Sequence, residues 1–305
     1  MLFCNLHSAI HKYNQDRNLQ LSGDAVSNKL KGQGLATQQQ QQRQSEVAIK
    51  DLLEAGAHFG HQTQRWNPKM KLFIFGARNG IHIIDLAKTV KQLRVAVDVI
   101  KETIAANRSI LFVGTKKAAK STVRESAESC DEFYVCERWL GGMLTNLQTL
   151  RQSVKKLERI EKRIAQGGEG ITKKELSLLS KDQIKLNKNL SGVRGMRKVP
   201  GLLIIVDPSK EDIAVAEATK LGIPIMALVD TNCNPDPINY VIPCNDDAQR
   251  SIKLILDALT QAIIDKKNEL HLFAEKQDEE EEEVEETVDE AAALLEEMES
   301  SKSKD

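Results

Sequence analysis

Cysteine is scarce and unpaired in this sequence: five among 305 residues, at Cys4, Cys130, Cys136, Cys233 and Cys244, with no C-x-x-C pair and no second pair to complete a zinc site. That excludes a disulfide-stapled or zinc-ribbon scaffold and argues for free thiols in a reducing cytosol. No apolar run approaches the roughly 18 residues of a membrane span, and the N-terminus lacks the apolar core of a signal peptide. Glycine-rich phosphate loops are missing too. FVGTKKAAKS (112–121) follows a strand pattern and opens a helical one, yet it has a single glycine and fits neither G-x-G-x-x-G nor G-x-x-x-x-G-K-S/T. No Ser/His/Asp or Cys/His arrangement can be assembled. Lys116, Lys117 and a helix N-terminus could hold a phosphate, of RNA as well as of a nucleotide, and an α/β enzyme would otherwise rely on Asp207 and Asp230 as cation ligands or catalytic carboxylates at two strand ends. The competing reading makes Asp207-Pro208-Ser209 a turn and helix cap, and we prefer it.

The formal net charge of −1 conceals a separation. Residues 274–305 hold fifteen acidic and three basic side chains, residues 1–45 five basic and two acidic, and 46–273 the remaining 35 basic and 27 acidic. The body is therefore basic by eight charges, as suits a polyanionic partner, and an acidic tail masks it. Residues 1–45 are polar, end in the tract Gln38–Gln42 and read as a disordered extension; their few acidic residues leave a transit peptide as the minor alternative.

Order begins near Val47, where Val47, Leu52, Leu53 and Ala57 form one helical stripe that Gly56 or Gly60 ends. Next, RWNPKMKLF gathers Arg65, Trp66, Lys69 and Lys71 around Pro68 on a loop, a combination able to bind phosphate and stack on bases. His58 and His61 have no further ligand nearby in sequence, so no metal is assigned to them. Strands are expected at Ile81–Asp85, Ile110–Gly114, Phe133–Cys136, Leu202–Asp207, Ile225–Val229 and Tyr240–Ile242. Helices are expected at Leu86–Ala106, Lys116–Ser129, Ser209–Leu221 and Asp246–Glu269. Several of these strands are apolar throughout, as strands covered on both faces are, so the alternation predicts a doubly wound parallel α/β domain, discontinuous over 46–146 and 195–273.

VCERWLGGMLTN (135–146) joins that domain to an insertion over 147–194. In it, Arg138 beside Trp139 could pair with an RNA phosphate and stack on a base, with Gly141-Gly142 permitting close backbone approach; on this stretch alone the preferred reading is a buried Trp139 beside a turn. Beyond, Leu147, Leu150, Val154, Leu157, Glu161 and Ile164 step by three and four, as do Leu176, Leu179, Gln183, Leu186, Leu190 and Val193. With QGGEG (166–170) between them, the two halves predict an antiparallel coiled-coil hairpin. Lys155, Lys156 and Arg159 lie outside its seam, and Arg194, Arg197 and Lys198 carry the basic surface toward the next strand.

The blocks LLEAGAHFGHQTQRWNPKM, IHIIDLAKT, LFVGTKKAA, RWLGGMLTN, PGLLIIVD, VDTNCNPD and VIPCNDDA resemble, in order, the bacterial-type protein two of the small ribosomal subunit, from about Val47 to about Asp265. The resemblance implies a flavodoxin-like sheet carrying a coiled-coil arm, no catalysis and no cofactor. It implies assembly onto 16S-type ribosomal RNA between head and body, beside other small-subunit proteins including the large protein one, in a cytoplasmic or, alternatively, organellar ribosome. No membrane contact and no homo-oligomer are expected. Leu147 and Ala118 depart mildly from the family pattern, and both chain ends fall outside it.

Overall fold

A computed structural model of the chain describes residues 47–166 and 172–271. The expectations for the N-terminal extension, for most of the QGGEG break and for the acidic tail lie outside those residues. The described chain opens on helix α1 (Ile49–Glu54), with Leu52 and Ala57 buried but Leu53 53% exposed, so the stripe is narrower than its periodicity suggests. Strands β1 (Phe59–Gln62), β2 (Ile74–Arg78) and β3 (Ile81–Ile84) then form an antiparallel sheet in the order β1-β3-β2. This corrects the expectation that Ile81–Asp85 joins the parallel sheet. Asn79 and Gly80 have φ of 52° and 75°, the turn that folds β2 back on β3, and the Asn-Gly pair is its sequence signature.

Helix α2 (Leu86–Ala105) starts where the Asp85 carboxylate accepts from Ala87 N at 3.1 Å. There follow β4 (Ile110–Val113), α3 (Lys120–Ser129), β5 (Phe133–Val135), the insertion helices α4 (Leu147–Ala165) and α5 (Lys173–Leu190), then β6 (Leu202–Val206), α6 (Asp212–Leu221), β7 (Ile225–Val229), β8 (Tyr240–Pro243) and a final helix α7 (249–271). All five strands from β4 to β8 pair in parallel, in the order β5-β4-β6-β7-β8. Counted from β4, that is 2-1-3-4-5, the doubly wound order of flavodoxin-like sheets, with its switch point between β4 and β6.

Alternate strand residues face two apolar layers. Ile110, Phe112, Leu202, Ile204, Met226 and Leu228 pack with α2, α3 and α7, whereas Leu111, Val113, Leu203, Ile205, Ile225 and Ala227 pack with α6 and the base of the insertion. Both faces being covered, the strands have no polar side, which is why they read as unbroken apolar runs. Three helices start later than expected, at Lys120, Asp212 and Gln249, because the preceding residues turn or bend. Asp207 sits at φ 62°, and its carbonyl accepts from Lys210 N at 3.1 Å and Glu211 N at 3.3 Å.

The insertion helices α4 and α5 pack together, with Leu150, Val154, Leu157 and Ile160 of α4 buried. From α5 only Leu190 is fully buried, and Leu178 and Ile184 are 55% and 69% exposed. The return from α5 passes so close to β5 that a Cβ at Gly192 would stand 2.3 Å from the Tyr134 carbonyl oxygen. Gly192→Ala must therefore push the insertion off the sheet edge. We expect a loss of roughly 1–3 kcal/mol, read as a lower denaturant midpoint, against a neutral effect of Ile184→Ala; equal midpoints would refute the close packing.

Candidate nucleic-acid interface

The loop from Arg138 to Thr145 is built around one carboxylate. Glu217, on α6 and 8% exposed, accepts hydrogen bonds from Trp139 Nε1 (3.1 Å), Gly142 N (2.7 Å), Leu144 N (3.0 Å), and both Thr145 N and Oγ1 (3.0 Å each). Burial alone would raise its pKa, but the donors at Thr145, Gly142, Trp139 and Leu144 outweigh it and hold the group below its ordinary value. Trp139 is consequently only 6% exposed, its indole turned inward. This is the buried reading of Trp139, and it corrects the expectation that the ring contacts RNA: the N–H finds its partner in the protein. Arg138, next to it, is exposed.

A second cluster fills the crevice at the carboxyl ends of β4, β6 and β7. Lys116 Nζ lies 2.6 Å from Asp246, 2.5 Å from Asp247 and 3.6 Å from Asp207. Burial opposes its charge, but hydrogen bonds to Asp246 and Asp247 keep the ammonium above its ordinary pKa. Asp246 is fully buried, and desolvation with the neighbouring Asp207 and Asp230 carboxylates pushes it up to about 7. His61 Nδ1 stands 3.0 Å from Asp230 and Nε2 3.4 Å from Asp247; the Asp230 contact raises the imidazole pKa. Ligand atoms of His61, Asp230, Asp246 and Asp247 all lie within 4.8 Å of one another, a nitrogen-and-oxygen set of the kind divalent cations take. The three carboxylates lie about 170 residues or more beyond His61, so only the fold assembles the group; the Asn245-Asp246-Asp247 run after a strand is its faint sequence sign. Asp207 is both the turn residue and a cluster member, so the two readings of it meet in one place.

The remaining candidates divide by whether the protein already neutralises them. Lys69 is paired with Asp236, and Arg194 with Glu161 at 2.5 Å. Trp66 is half-buried with its ring centroid 5.1 Å from that of His82. Arg65, Lys71, Lys117, Lys155, Lys156, Arg159, Arg197 and Lys198 are exposed. No carboxylate partner holds Lys155, Lys156 or Arg159 among the described residues. Arg151 donates to the Arg197 carbonyl at 2.6 Å, which ties 194–198 to α4 and makes one basic surface of the two. Phe75, 79% exposed between Lys71 and Arg78, escaped the reading from sequence; its place on a short sheet edge gives it no apolar neighbour to pack on.

The family profile described as ribosomal protein S2 matches residues 52–266. The small ribosomal subunit protein uS2 of Protochlamydia amoebophila is 72% identical over 233 residues, covering 76% of this chain and 86% of its own length. The uS2 proteins of Chlamydia trachomatis serovar D and Chlamydia pneumoniae are 62% and 58% identical over 224 residues, covering 73% of this chain and 79% and 81% of their own lengths.

Glu217→Gln should cost on the order of 2–4 kcal/mol, since an amide cannot accept from every donor the carboxylate serves. The native pKa lies below the ordinary 4.5, so this contribution is complete above 4.5 and disappears as pH falls through the native value. Denaturant midpoints measured from pH 7 down to pH 3 should fall less steeply in the variant than in the parent; parallel profiles would deny Glu217 this role.

Proposed function

Because the chain belongs to the ribosomal protein S2 family, and so is a non-enzymatic constituent of the small ribosomal subunit, we propose that it binds 16S-type ribosomal RNA through the outward face of the insertion and the adjoining basic segment. The observation that carries this is electrostatic. Lys116, Lys69 and Arg194 have carboxylate partners inside the protein, whereas Lys155, Lys156 and Arg159 present their charges outward without one. Phosphate oxygens complete such groups, and each neutralised phosphate releases counterions. Arg65, Lys71, Lys117, Arg138, Arg197 and Lys198 extend the contact, and Trp66 with Phe75 offers ring surface to unstacked bases. Trp139 acts from within, by fixing the loop that carries Arg138.

In this reading α4 and α5 form the antiparallel coiled-coil arm of a flavodoxin-like domain over 46–146 and 195–273, and the chain works as a single copy in a cytoplasmic subunit between head and body. Neighbouring small-subunit proteins, the large protein one among them, complete its surroundings. Among the described residues no helix is long and apolar enough to cross a membrane. The alternative of a phosphate-using enzyme is weakened at Lys116, whose charge three carboxylates already absorb.

The test is a sucrose gradient of lysate containing tagged chain, parent or K155E/K156E/R159E, over a range of salt. The parent should migrate with small subunits and be released as salt rises; the folded variant should leave at lower salt, with a log–log salt slope smaller by roughly one per lost phosphate contact. Unchanged association of the folded variant would remove the arm from the interface.

A further inference from the structure

The largest cavity among the described residues, about 1140 Å³, lies at the opposite end of the sheet from the crevice, beside the segments that lead into β4, β5 and β6. Arg108, Asp131, Phe133, Lys198, Val199 and Leu270 are among the residues that line it. Two of its cations are left over. Glu132 is consumed internally, since it accepts from Ile110 N at 2.7 Å and pairs with Lys267 at 2.6 Å, and neither Arg108 nor Lys198 has a carboxylate partner among the described residues. Arg108 is also held in place: its stem lies so close along Gly201 that a Cβ added there would stand 2.5 Å from the Arg108 Cβ and 2.8 Å from its Cδ. A guanidinium already oriented loses little freedom when an anion arrives.

The rest of the lining is apolar or aromatic. Val199 and Leu270 are 42% and 37% exposed, and Phe133 is half-buried. A fixed cation beside apolar and ring surface matches the two parts of a single-stranded nucleotide, its phosphate and its flat base. Clefts for small ligands run from about 300 to 1,000 Å³, so a space of this size takes one or two nucleotides. The cavity is also continuous with the basic surface. Arg151 holds the Arg197 carbonyl, and the next two residues, Lys198 and Val199, pass into the cavity wall. On the reading that the insertion and 197–198 face RNA, we propose that this cavity receives an unpaired nucleotide of the ribosomal RNA, its phosphate on Arg108 and its base against Phe133, Val199 and Leu270. Asp131, exposed, repels phosphate but accepts from a base amino group, so the base and not the backbone is turned toward it.

The test uses Asn268→Cys in the purified, nuclease-treated full chain. Asn268 is exposed, lines the cavity and belongs to α7, which packs on the face of the sheet away from the insertion, while Cys130, Cys136, Cys233 and Cys244 are buried. Maleimide labelling of the introduced thiol, read by peptide mass spectrometry, should slow several-fold in millimolar single-stranded hexacytidylate and change little with an RNA duplex of equal phosphate content. Adding Arg108→Ser should abolish that protection with circular dichroism unchanged, whereas adding K155E/K156E/R159E should leave it. In small subunits the same thiol should be protected. The site is overturned if hexacytidylate gives no protection, if duplex or polyaspartate protects equally, or if protection survives Arg108→Ser. Protection in subunits without protection by hexacytidylate also overturns it and assigns the cavity to a neighbouring protein. A chain that never joins small subunits overturns instead the reading of the arm, so the two failures stay distinct.

Discussion

A single buried carboxylate, Glu217, settles how the two halves of this molecule meet. The sheet contributes α6, packed on β7; the insertion needs a rigid root, and the loop leading to it would otherwise leave backbone N–H groups at Gly142, Leu144 and Thr145 without partners near the apolar layer. Unsatisfied donors of that kind cost more than the hydrogen bonds they forgo. Glu217 gathers them, together with the Trp139 indole, on two oxygens. The direction in which α4 departs from the domain therefore rests on one side chain of α6, and so does the exposure of Arg138.

Around that root the protein sorts its cations into two kinds. Those in the carboxyl-end crevice are spent on carboxylates, and they stabilise a cluster in which Asp207, Asp230 and Asp246 would otherwise repel one another in a buried place. On α4, Lys155, Lys156 and Arg159 have no carboxylate partner among the described residues, whereas Lys188 of α5 pairs with Glu137 and Arg194 with Glu161. A doubly wound sheet ordinarily places its ligand in that crevice, at the switch point. Here the crevice is held together internally, while Lys155, Lys156 and Arg159 on α4 are exposed without a carboxylate partner among the described residues.

Much of this was legible from residue order. The five parallel strands were, because burial on both faces removes polar alternation and β-branched runs such as LLIIV and IMALV leave little else to read. The insertion helices were, because their apolar steps recur at three and four with few polar breaks, of which Glu161 takes the guanidinium of Arg194. The antiparallel sheet was not, since β1 and β2 are short, partly exposed and broken by bulges where the register shifts. Its one strong sign is Asn79-Gly80, the turn between β2 and β3. The His61 group was hidden for a different reason: only Asp246 and Asp247 are neighbours in sequence, and the fold must bring His61 of the antiparallel sheet and Asp230 after β7 to them.

Trp139 shows why residue type was a weaker guide than environment. An Arg-Trp pair before two glycines carries the same letters whether the ring meets a base or a carboxylate. What decides is the partner for the indole N–H, and that partner arrives from a helix 78 residues later in the chain. Once Glu217 occupies it, the aromatic becomes part of the support and the neighbouring Arg138 is the group left facing out. Phe75 is the converse case: a strand pattern ordinarily predicts that a phenylalanine packs inward, but a three-stranded sheet with β2 on its edge has no second layer to receive it. Which side chains face out at this surface thus depends on what the interior satisfies, and so on the whole fold rather than on a single stretch of it.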